Sequence, residues 1–436
     1  MRYFSTNHNS DPVSLSEAVV KGLAPDRGLY MPERIERLPD EFFENMRNLT
    51  FRDIAFEVAK AFFGEDIDED GLRAIVDDTL AFDCPVVNVG DGIWSLELFH
   101  GPTLAFKDVG ARFMARMLSY FIKKGLADAH DTINVLVATS GDTGSAVANG
   151  FLGVDGIHVY VLYPKGKVSK TQESQFATLG RNITALEVDG TFDDCQALVK
   201  DAFADEELNG RLKLTSANSI NVARFLPQSF YYFNAYARLK EAGKADNLVV
   251  CVPSGNFGNL TAGLFAQRMG LPIRRFIAAN NANDIFLKYL VTGRYEPRPS
   301  LQTIANAMDV GAPSNFARIL SLYDNSHEAV CRDISGASFT DEQIRIAMSE
   351  CYNGYGYVLD PHGACGWKAL REGLTAGETG VFLETAHPAK FADTVESVIG
   401  RPVDVPERLA AFVNGRKRSL PMTKNYQDFK KYLMSV

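Results

Sequence analysis

The sequence has few cysteines and no cysteine motif. Its 436 residues include six cysteines, and no two of them form a CxxC pair. Disulfide frameworks are typical of short secreted chains with dense cysteines, and a zinc site needs closely spaced ligands. We therefore expect neither a disulfide framework nor a metal site.

Long apolar runs and extended basic clusters are also missing. No run of about 18 apolar residues occurs, which argues against a membrane span. The formal net charge is −9, and the short basic stretch 416–418 is typical of a solvated face. An acidic chain is poorly suited to nucleic acid, whose binding depends on basic side chains. The N-terminus has no apolar signal-peptide core. We therefore expect a cytoplasmic protein that binds neither membrane nor nucleic acid.

What is present is the pattern of an α/β protein. Apolar residues at helical spacing over 51–63 indicate a helical N-terminal lobe. Beyond residue 85, short apolar strands alternate with amphipathic helices. The strands are predicted at 93–98, 133–138, 158–163, 183–188, 248–252 and 275–279, and the helices at 111–123, from about 145, at 174–179, 192–204 and 260–269. Repeated β–loop–α units predict mainly parallel sheets that are covered by helices on both faces.

The length of the chain indicates two or three lobes rather than one small core. We expect an N-terminal lobe over 1–84, a large domain over 85–130 plus 215–436, and a small domain over 131–214. Because the small domain joins the large one through single crossings, we expect it to move when a ligand binds.

Two loops follow predicted strands and open predicted helices. PSGNFGN (253–259) has glycines for a tight turn, and a helix N-terminus offers free N–H groups, so the loop suits a phosphate. It lacks both the GxxxxGK[ST] and the GxGxxG patterns, which argues against a nucleoside triphosphate or a dinucleotide. TSGDTG (139–144) suits a carboxylate or a second phosphate. The alternatives are an ordinary βα turn for the first loop and a helix cap for the second.

Lys107 lies in the sequence LAFKD, after three apolar residues. Desolvation lowers the pKa of an amine and makes it nucleophilic, which a lysine that forms a Schiff base needs. A lysine taken alone is more often a surface residue. A buried lysine with one loop for a small phosphate and another for a carboxylate suits pyridoxal phosphate together with an amino acid.

Several motifs together resemble the threonine synthase family, within the fold-type II group of pyridoxal-phosphate enzymes. The motifs occur in the family's order along nearly the whole chain. They are GLAPDRGLYMP (22–32), ELFHGPTLAFKD (97–108), ATSGDTGSAV (138–147), TSANSIN (215–221), VPSGNFGN (252–259) and TAHPAKF (385–391). The resemblance implies a tryptophan-synthase-β-like α/β fold with two parallel-sheet lobes and a helical N-terminal lobe, and a long N-terminal lobe of the fungal and enterobacterial type.

The resemblance also implies roles for single residues. Lys107 would be the catalytic, Schiff-base lysine, and Thr385 would contact the pyridine nitrogen. The cofactor phosphate would be held by Gly255, Asn256, Phe257, Gly258 and Asn259. The substrate carboxylate would be met by Ser140, Asp142 and Thr143, with Asp142 also near the cofactor. The candidates for the substrate phosphate are Ser216, Asn218, Ser219, Asn221 and Arg224.

The implied activity converts O-phosphohomoserine and water to L-threonine and phosphate by γ-elimination and β-addition. The alternatives are another fold-type II lyase that acts on serine or threonine, and a catalytically silent relative. We expect a small-molecule substrate and a monomer or weak homo-oligomer. His100, His362 and His387 lie in or near the motifs, and we expect them to be structural rather than catalytic.

Overall fold

The computed structural model describes residues 1–125 and 132–436, which form two compact units. The first unit comprises Met1, Met31–Phe106 and Phe225–Asp404. The second unit comprises Arg2–Tyr30, Lys107–Arg224 and Val405–Val436. The domain boundary predicted at 130/131 lies outside the described residues, and the three-domain division remains a prediction.

The strands are short and largely buried. Numbered along the chain, they are β1 (Tyr3–Ser5), β2 (Tyr30–Pro32), β3 (Val86–Gly90), β4 (Ile93–Glu97), β5 (Ile133–Ala138), β6 (Ile157–Pro164), β7 (Ile183–Val188), β8 (Lys213–Ser216), β9 (Leu248–Pro253), β10 (Ile273–Asn280), β11 (Ile334–Ser338), β12 (Thr379–Glu384) and β13 (Leu420–Met422).

The α-helices range from one turn to almost five. They are α1 (Leu15–Lys21), α2 (Asp40–Asn45), α3 (Phe51–Phe63), α4 (Glu69–Thr79), α5 (Lys107–Lys123), α6 (Asp142–Phe151), α7 (Lys170–Ala177), α8 (Phe192–Ala204), α9 (Glu206–Asn209), α10 (Val222–Phe225), α11 (Ser229–Glu241), α12 (Gly258–Arg268), α13 (Ile285–Thr292), α14 (Phe316–Leu322), α15 (His327–Asp333), α16 (Asp341–Tyr355), α17 (Pro361–Gly373), α18 (Ala392–Ile399), α19 (Glu407–Val413) and α20 (Tyr426–Leu433). Short 3₁₀ helices lie at Met46–Asn48, Leu226–Gln228, Asn306–Met308 and Pro388–Phe391.

A six-stranded sheet in the order β11-β10-β9-β12-β4-β3 forms the centre of the first unit. All its pairings are parallel except that of β3 with β4. The central strands β9 and β12 are almost entirely buried, as expected for a parallel sheet that is covered on both faces. Helix α17 packs on this sheet and contributes Trp367 and Leu370 to the core.

The second unit contains a five-stranded sheet in the order β13-β7-β6-β5-β8, and every pairing in it is parallel. The C-terminal segment supplies β13 at one edge, beside β7. It also supplies α20, whose Phe429 and Leu433 are completely buried in the core formed with β6, β7 and α8. The last residues of the chain are therefore part of the second unit's core.

The predicted α/β fold with parallel sheets is confirmed. Strands β5 and β7 and helices α3 and α8 have the predicted bounds. Helix α5 was predicted from residue 111, but it begins at Lys107, with Asp108 in its first turn, where a carboxylate favours a helix. Within the described ranges, no helix is long and apolar enough to cross a membrane.

An ion pair joins strand β10 of the first unit's sheet to the residue directly before β12. The Arg275 guanidinium on β10 donates to both carboxylate oxygens of Glu378, at 2.7 and 3.1 Å. The Thr375 backbone N–H also donates to Glu378, at 2.9 Å. These hydrogen bonds, the one from Arg275 foremost, lower the pKa of Glu378 from 4.5 to about 2. The carboxylate form of Glu378 is therefore favoured by the fold.

Replacing Glu378 by Gln should flatten the acid side of the stability profile. A carboxyl group with a lowered folded pKa stabilises the fold above its unfolded value of 4.5, and this contribution is lost as the pH falls from 4.5 towards 2. In urea titrations, the free energy of unfolding of the parent protein should therefore fall more steeply over this interval than that of Glu378→Gln. Asp404→Asn, which removes an exposed carboxylate, serves as the control. Parallel profiles for the parent and Glu378→Gln would contradict this assignment.

Candidate active site

The loops of the first unit that carry the motifs leave one edge of its sheet. Strands β4, β9, β10 and β12 run parallel, so their carboxyl ends lie at the same edge. The segment Leu98–Phe106 follows β4, the glycine loop (residues 253–259) includes the end of β9, and Thr385 directly follows β12. The sheet topology therefore brings the predicted cofactor loop and Thr385 to one place.

The glycine loop presents a row of free backbone donors. Within residues 1–125 and 132–436, the N–H groups of Gly255 to Asn259 have no hydrogen-bond acceptor. Phe257 has a left-handed backbone (φ 60°), and Gly258 begins α12. The Asn259 side chain donates to the Pro253 carbonyl at 2.9 Å, which closes the loop on itself. Donors at a helix N-terminus suit an anion, and their number suits the phosphate of pyridoxal phosphate.

A separate segment, which we call the clamp segment (residues 303–315), holds the glycine loop from outside. A Cβ atom built on Gly255 would lie 2.8 Å from the Ala307 carbonyl oxygen, so a glycine is needed for this close approach. Asn315 donates to the Asn256 carbonyl from its backbone N–H at 3.2 Å and from its amide at 3.0 Å. Ser314 donates to the Asn256 side chain. The shape of the glycine loop is thus fixed by contacts with residues distant in sequence.

Hydrogen bonds also attach the segment that precedes Lys107 to the segment around Thr385. Phe106 donates its N–H to the Thr385 carbonyl at 2.9 Å, and the His387 N–H donates to the Leu104 carbonyl at 3.0 Å. The buried Lys390 ammonium donates to the Thr103 carbonyl at 2.8 Å. The Thr385 hydroxyl has no hydrogen-bond partner within the described ranges and is free to meet a ligand. The chain that leads into Lys107 is therefore held on the first unit.

The three histidines of the motifs all have hydrogen-bond partners within the protein, and their structural role stays a prediction. The His100 Nε2 lies 2.8 Å from a carboxylate oxygen of Glu97. Both ring nitrogens of His362 are in hydrogen bonds, with Asp360 and with the Ala307 N–H. The His387 Nδ1 accepts from the Ala389 N–H at 3.1 Å, and burial lowers the pKa of His387.

In the second unit, the TSGDTG loop is built around the hydroxyl of Thr139. This oxygen accepts hydrogen bonds from the N–H groups of Gly141 and Gly144, at 2.9 and 2.8 Å. The N–H groups of Ser140 and Thr143 have no acceptor in the part of the chain that the structure describes. Asp142 is buried and accepts from the Gln172 amide at 2.9 Å. The loop therefore offers backbone donors to an anion. The Asp142 carboxylate of the loop is oriented by its hydrogen bond from Gln172.

The loop after β8 lies beside the TSGDTG loop, because β8 pairs in parallel with β5. The Asn218 amide donates to the Ala138 carbonyl at 3.0 Å, which ties the two loops together. The Asn221 amide donates to the carbonyls of Val19 and Ser216, so it supports the loop itself. Arg224 is buried, which lowers its pKa to about 10, while the Asp108 charge opposes this shift. Arg224 is therefore still a cation at neutral pH.

The predicted residues are thus distributed over both units. The first unit holds Gly255 to Asn259 and Thr385, and the second holds Lys107 and the candidates for substrate binding. The sequence did not predict the clamp segment, Lys390, or the Asp360–His362 pair. Among the described residues, no group of three or more His, Cys, Asp or Glu side chains could hold a metal ion.

Comparison with known proteins first defines the class. Residues 80–385 match the model of a family described as pyridoxal-phosphate dependent enzyme, which fits the free donors of the glycine loop. Residues 2–80 match the model "Threonine synthase N terminus", and residues 363–433 match "Threonine synthase, C-terminal".

Individual relatives then define the family. Threonine synthase from Escherichia coli strain K12 is 44% identical over 94% of both chains. The crystal structure of threonine synthase from Escherichia coli covers all of both chains with a TM-score of 0.93 at 42% identity. The crystal structure of PLP-bound threonine synthase from Brucella melitensis has a TM-score of 0.92 at 34% identity and covers 100% of this chain and 99% of that chain. The chain belongs to the threonine synthase family of pyridoxal-phosphate dependent enzymes.

Replacing Gly255 by Ala should weaken pyridoxal-phosphate binding by about tenfold or more, because the added Cβ would press on the Ala307 carbonyl oxygen and displace a loop of buried donors. Fluorescence titration of the full-length protein with the cofactor would measure the affinity. Gly354→Ala is the matched control, since nothing lies within 4 Å of the added Cβ there. Equal affinities of the two variants would contradict a role for the glycine loop in binding.

Proposed function

We propose that this protein converts O-phosphohomoserine and water to L-threonine and phosphate, with pyridoxal phosphate held on Lys107. The proposal is carried by the match to threonine synthases over the full length of the chain. It is supported by the free donors of the glycine loop, the free Thr385 hydroxyl and the second anion loop at 139–144. A serine or threonine lyase would also need a lysine, a cofactor loop and a carboxylate loop, so the choice between the two activities rests on the full-length match.

Each part of the cofactor has a proposed binding residue. Gly255 to Asn259 would bind its phosphate through their backbone N–H groups, while the Asn259 side chain keeps the loop closed. Thr385 would meet the pyridine nitrogen with its hydroxyl. Lys107 would hold the cofactor through its amine, on the first residue of α5. We also assign Asp142 a position near the cofactor, where its hydrogen bond with Gln172 would orient it.

When bound, the cofactor supplies an electron sink for the carbon chemistry of the substrate. The protein supplies orientation and proton transfer. We assign Lys107 the movement of the proton at the substrate Cα, because an amine that holds the cofactor would lie beside the substrate. Thr385 is neutral, so it orients the ring nitrogen without placing a negative charge beside it. The overall reaction would release the γ-phosphate, move one hydrogen from Cβ to Cγ in net terms, and place the hydroxyl group of water on Cβ.

The substrate's two anionic ends have separate candidate sites. Ser140 and Thr143 would bind the carboxylate through their free N–H groups, with Asp142 beside them. Ser216, Asn218, Ser219 and Arg224 are proposed for the phosphate, with Arg224 as the cation, since a guanidinium can pair two phosphate oxygens. Asn221 was predicted for the same role. Its amide is already bound to two carbonyls, so we propose that it supports the loop.

Replacing Lys107 by Ala should remove both the Schiff-base absorption band of the protein-bound cofactor and the formation of threonine and phosphate. The absorption arises from the bond between lysine and cofactor, so it tests the assignment independently of turnover. Lys123→Ala removes an exposed lysine from the other end of the same helix and should leave both properties unchanged. A Lys107→Ala protein that retained the parent absorption would refute the assignment.

Substrate selectivity tests the phosphate site. A site built to pair a phosphate leaves buried donors unpaired when that group is missing. We therefore expect kcat/KM for O-phosphohomoserine to exceed that for homoserine by about 10⁴-fold or more. Coupled assays of released phosphate and of threonine would provide both values. Turnover of serine without turnover of O-phosphohomoserine would favour another fold-type II lyase, and cofactor absorption without any turnover would favour a silent relative. The oligomeric state, monomer or weak homo-oligomer, and the cytoplasmic location stay predictions.

A further inference from the structure

The clamp segment is itself held by a buried histidine. The Ala307 N–H donates to the Nε2 of His362 at 3.1 Å, and His362 is 1% exposed. Ala307 is also the residue whose carbonyl oxygen faces Gly255 at the distance that excludes a Cβ atom. The position of the Ala307 backbone therefore depends on His362, and this backbone determines the space next to the glycine loop.

The hydrogen bonds of His362 fix its tautomer. Because Nε2 accepts from the Ala307 N–H, this nitrogen carries no hydrogen in the neutral ring. The hydrogen is then on Nδ1, which donates to an Asp360 carboxylate oxygen at 2.5 Å. Asp360 is also the N-cap of α17 and accepts from the His362 N–H at 2.7 Å. The imidazole is thus oriented by a carboxylate that the helix end holds in place.

Asp360 is also hydrogen-bonded to the end of strand β12. The Asp360 N–H donates to Glu384 at 2.7 Å, and Glu384 is the last residue of β12, directly before Thr385. A continuous series of hydrogen bonds therefore runs from the end of β12 through Asp360 and His362 to Ala307, which packs against Gly255. All of these residues belong to the first unit.

We propose that His362 is a positioning residue for the cofactor-phosphate site: it places the Ala307 peptide, and through it the glycine loop, relative to the end of β12. The inference rests on the proposed function, because it assumes that the glycine loop binds the cofactor phosphate. Its specific content is that the acceptor at Nε2, and not merely the volume of the ring, sets the affinity for the phosphate group.

The test compares two substitutions that distinguish the roles of the two ring nitrogens of His362. His362→Gln keeps an amide oxygen that can reach the Ala307 N–H, whereas His362→Asn is too short and keeps only a donor near Asp360. The readout is the ratio of the dissociation constants of pyridoxal and pyridoxal phosphate, measured by fluorescence titration of the full-length protein. This ratio isolates the phosphate group, which a general loss of stability would not do.

We expect His362→Asn to lower this ratio about tenfold, the size of effect that one lost hydrogen bond to a buried N–H produces. His362→Gln should keep a ratio close to that of the parent protein. His158→Asn, in β6 of the second unit, should leave the ratio unchanged, because the His158 ring is bonded to Thr184 instead. If His362→Asn does not fold, Asp360→Asn replaces it: this variant keeps an N-cap side chain, weakens the tether and should lower the ratio about threefold.

The outcomes separate the inference from the proposed function. A parent protein that binds pyridoxal and pyridoxal phosphate equally well would overturn both, since the glycine loop would then not read the phosphate. A parent that strongly prefers pyridoxal phosphate, with the same ratio in folded His362→Asn or Asp360→Asn, would overturn the role of His362 alone. An equal loss in His362→Gln and His362→Asn would also overturn it, because the acceptor would then not matter.

Discussion

The parallel pairing of β12 with β9 on one side and β4 on the other is the constraint on which the first unit depends. Phe382 on β12 lies opposite Cys251 of β9 and Ser95 of β4. A slip by one residue would turn every side chain of a strand to the opposite face, and these strands are buried on both faces, so the register is strongly specified. A fixed register fixes where each strand ends. The loops that carry Gly255 and Thr385 must therefore begin at one edge of the sheet.

Deep burial at this edge determines the ionisation of the acidic side chains there. Glu384 is completely buried, and burial, followed by the neighbouring Asp360 charge, raises its pKa well above the usual range. Burial therefore favours the neutral form of Glu384. An alanine at Gly363 would collide with the Glu384 carboxyl. The glycine at this position therefore allows the Glu384 carboxyl to lie against the backbone of α17. The Asp360 carboxyl group serves both as the N-cap of α17 and as the partner of the His362 ring.

Local sequence patterns predicted the elements that local physics determines. The apolar runs of β5 and β7 and the helical spacing of α8 gave the observed bounds. The start of α5 was placed four residues late, because its first turn, KDVG, has little apolar periodicity to recognise. Beyond residue 280 the strands and helices were not predicted. The clamp segment has no periodicity and only one short 3₁₀ helix, at Asn306–Met308, and its conformation depends on partners distant in sequence such as Asn256 and His362.

The site residues show the same division between local and distant causes. The pattern of Gly255 and Gly258 after an apolar strand predicted free N–H groups, because these follow from a tight turn into a helix, but by itself it fitted an ordinary βα turn as well as an anion loop. Lys390 lies within a recognised motif, yet no local pattern indicates that its ammonium binds the Thr103 carbonyl. Such a contact depends on the pairing of Ala105 with Ala386, which joins segments far apart in the chain.

The polar side chains of both anion loops mainly shape the backbone. The Thr139 hydroxyl accepts hydrogen bonds from the N–H groups of Gly141 and Gly144, and the Asn259 amide donates across its loop to the Pro253 carbonyl. These bonds satisfy inward-facing polar groups and leave other N–H groups free for a ligand. Backbone N–H groups bind an anion but do not discriminate between the molecules to which the anion is attached. With the proposed substrate, selection of the phosphorylated amino acid would have to come from side chains at fixed positions, and the buried cation of Arg224 has the chemistry for that discrimination.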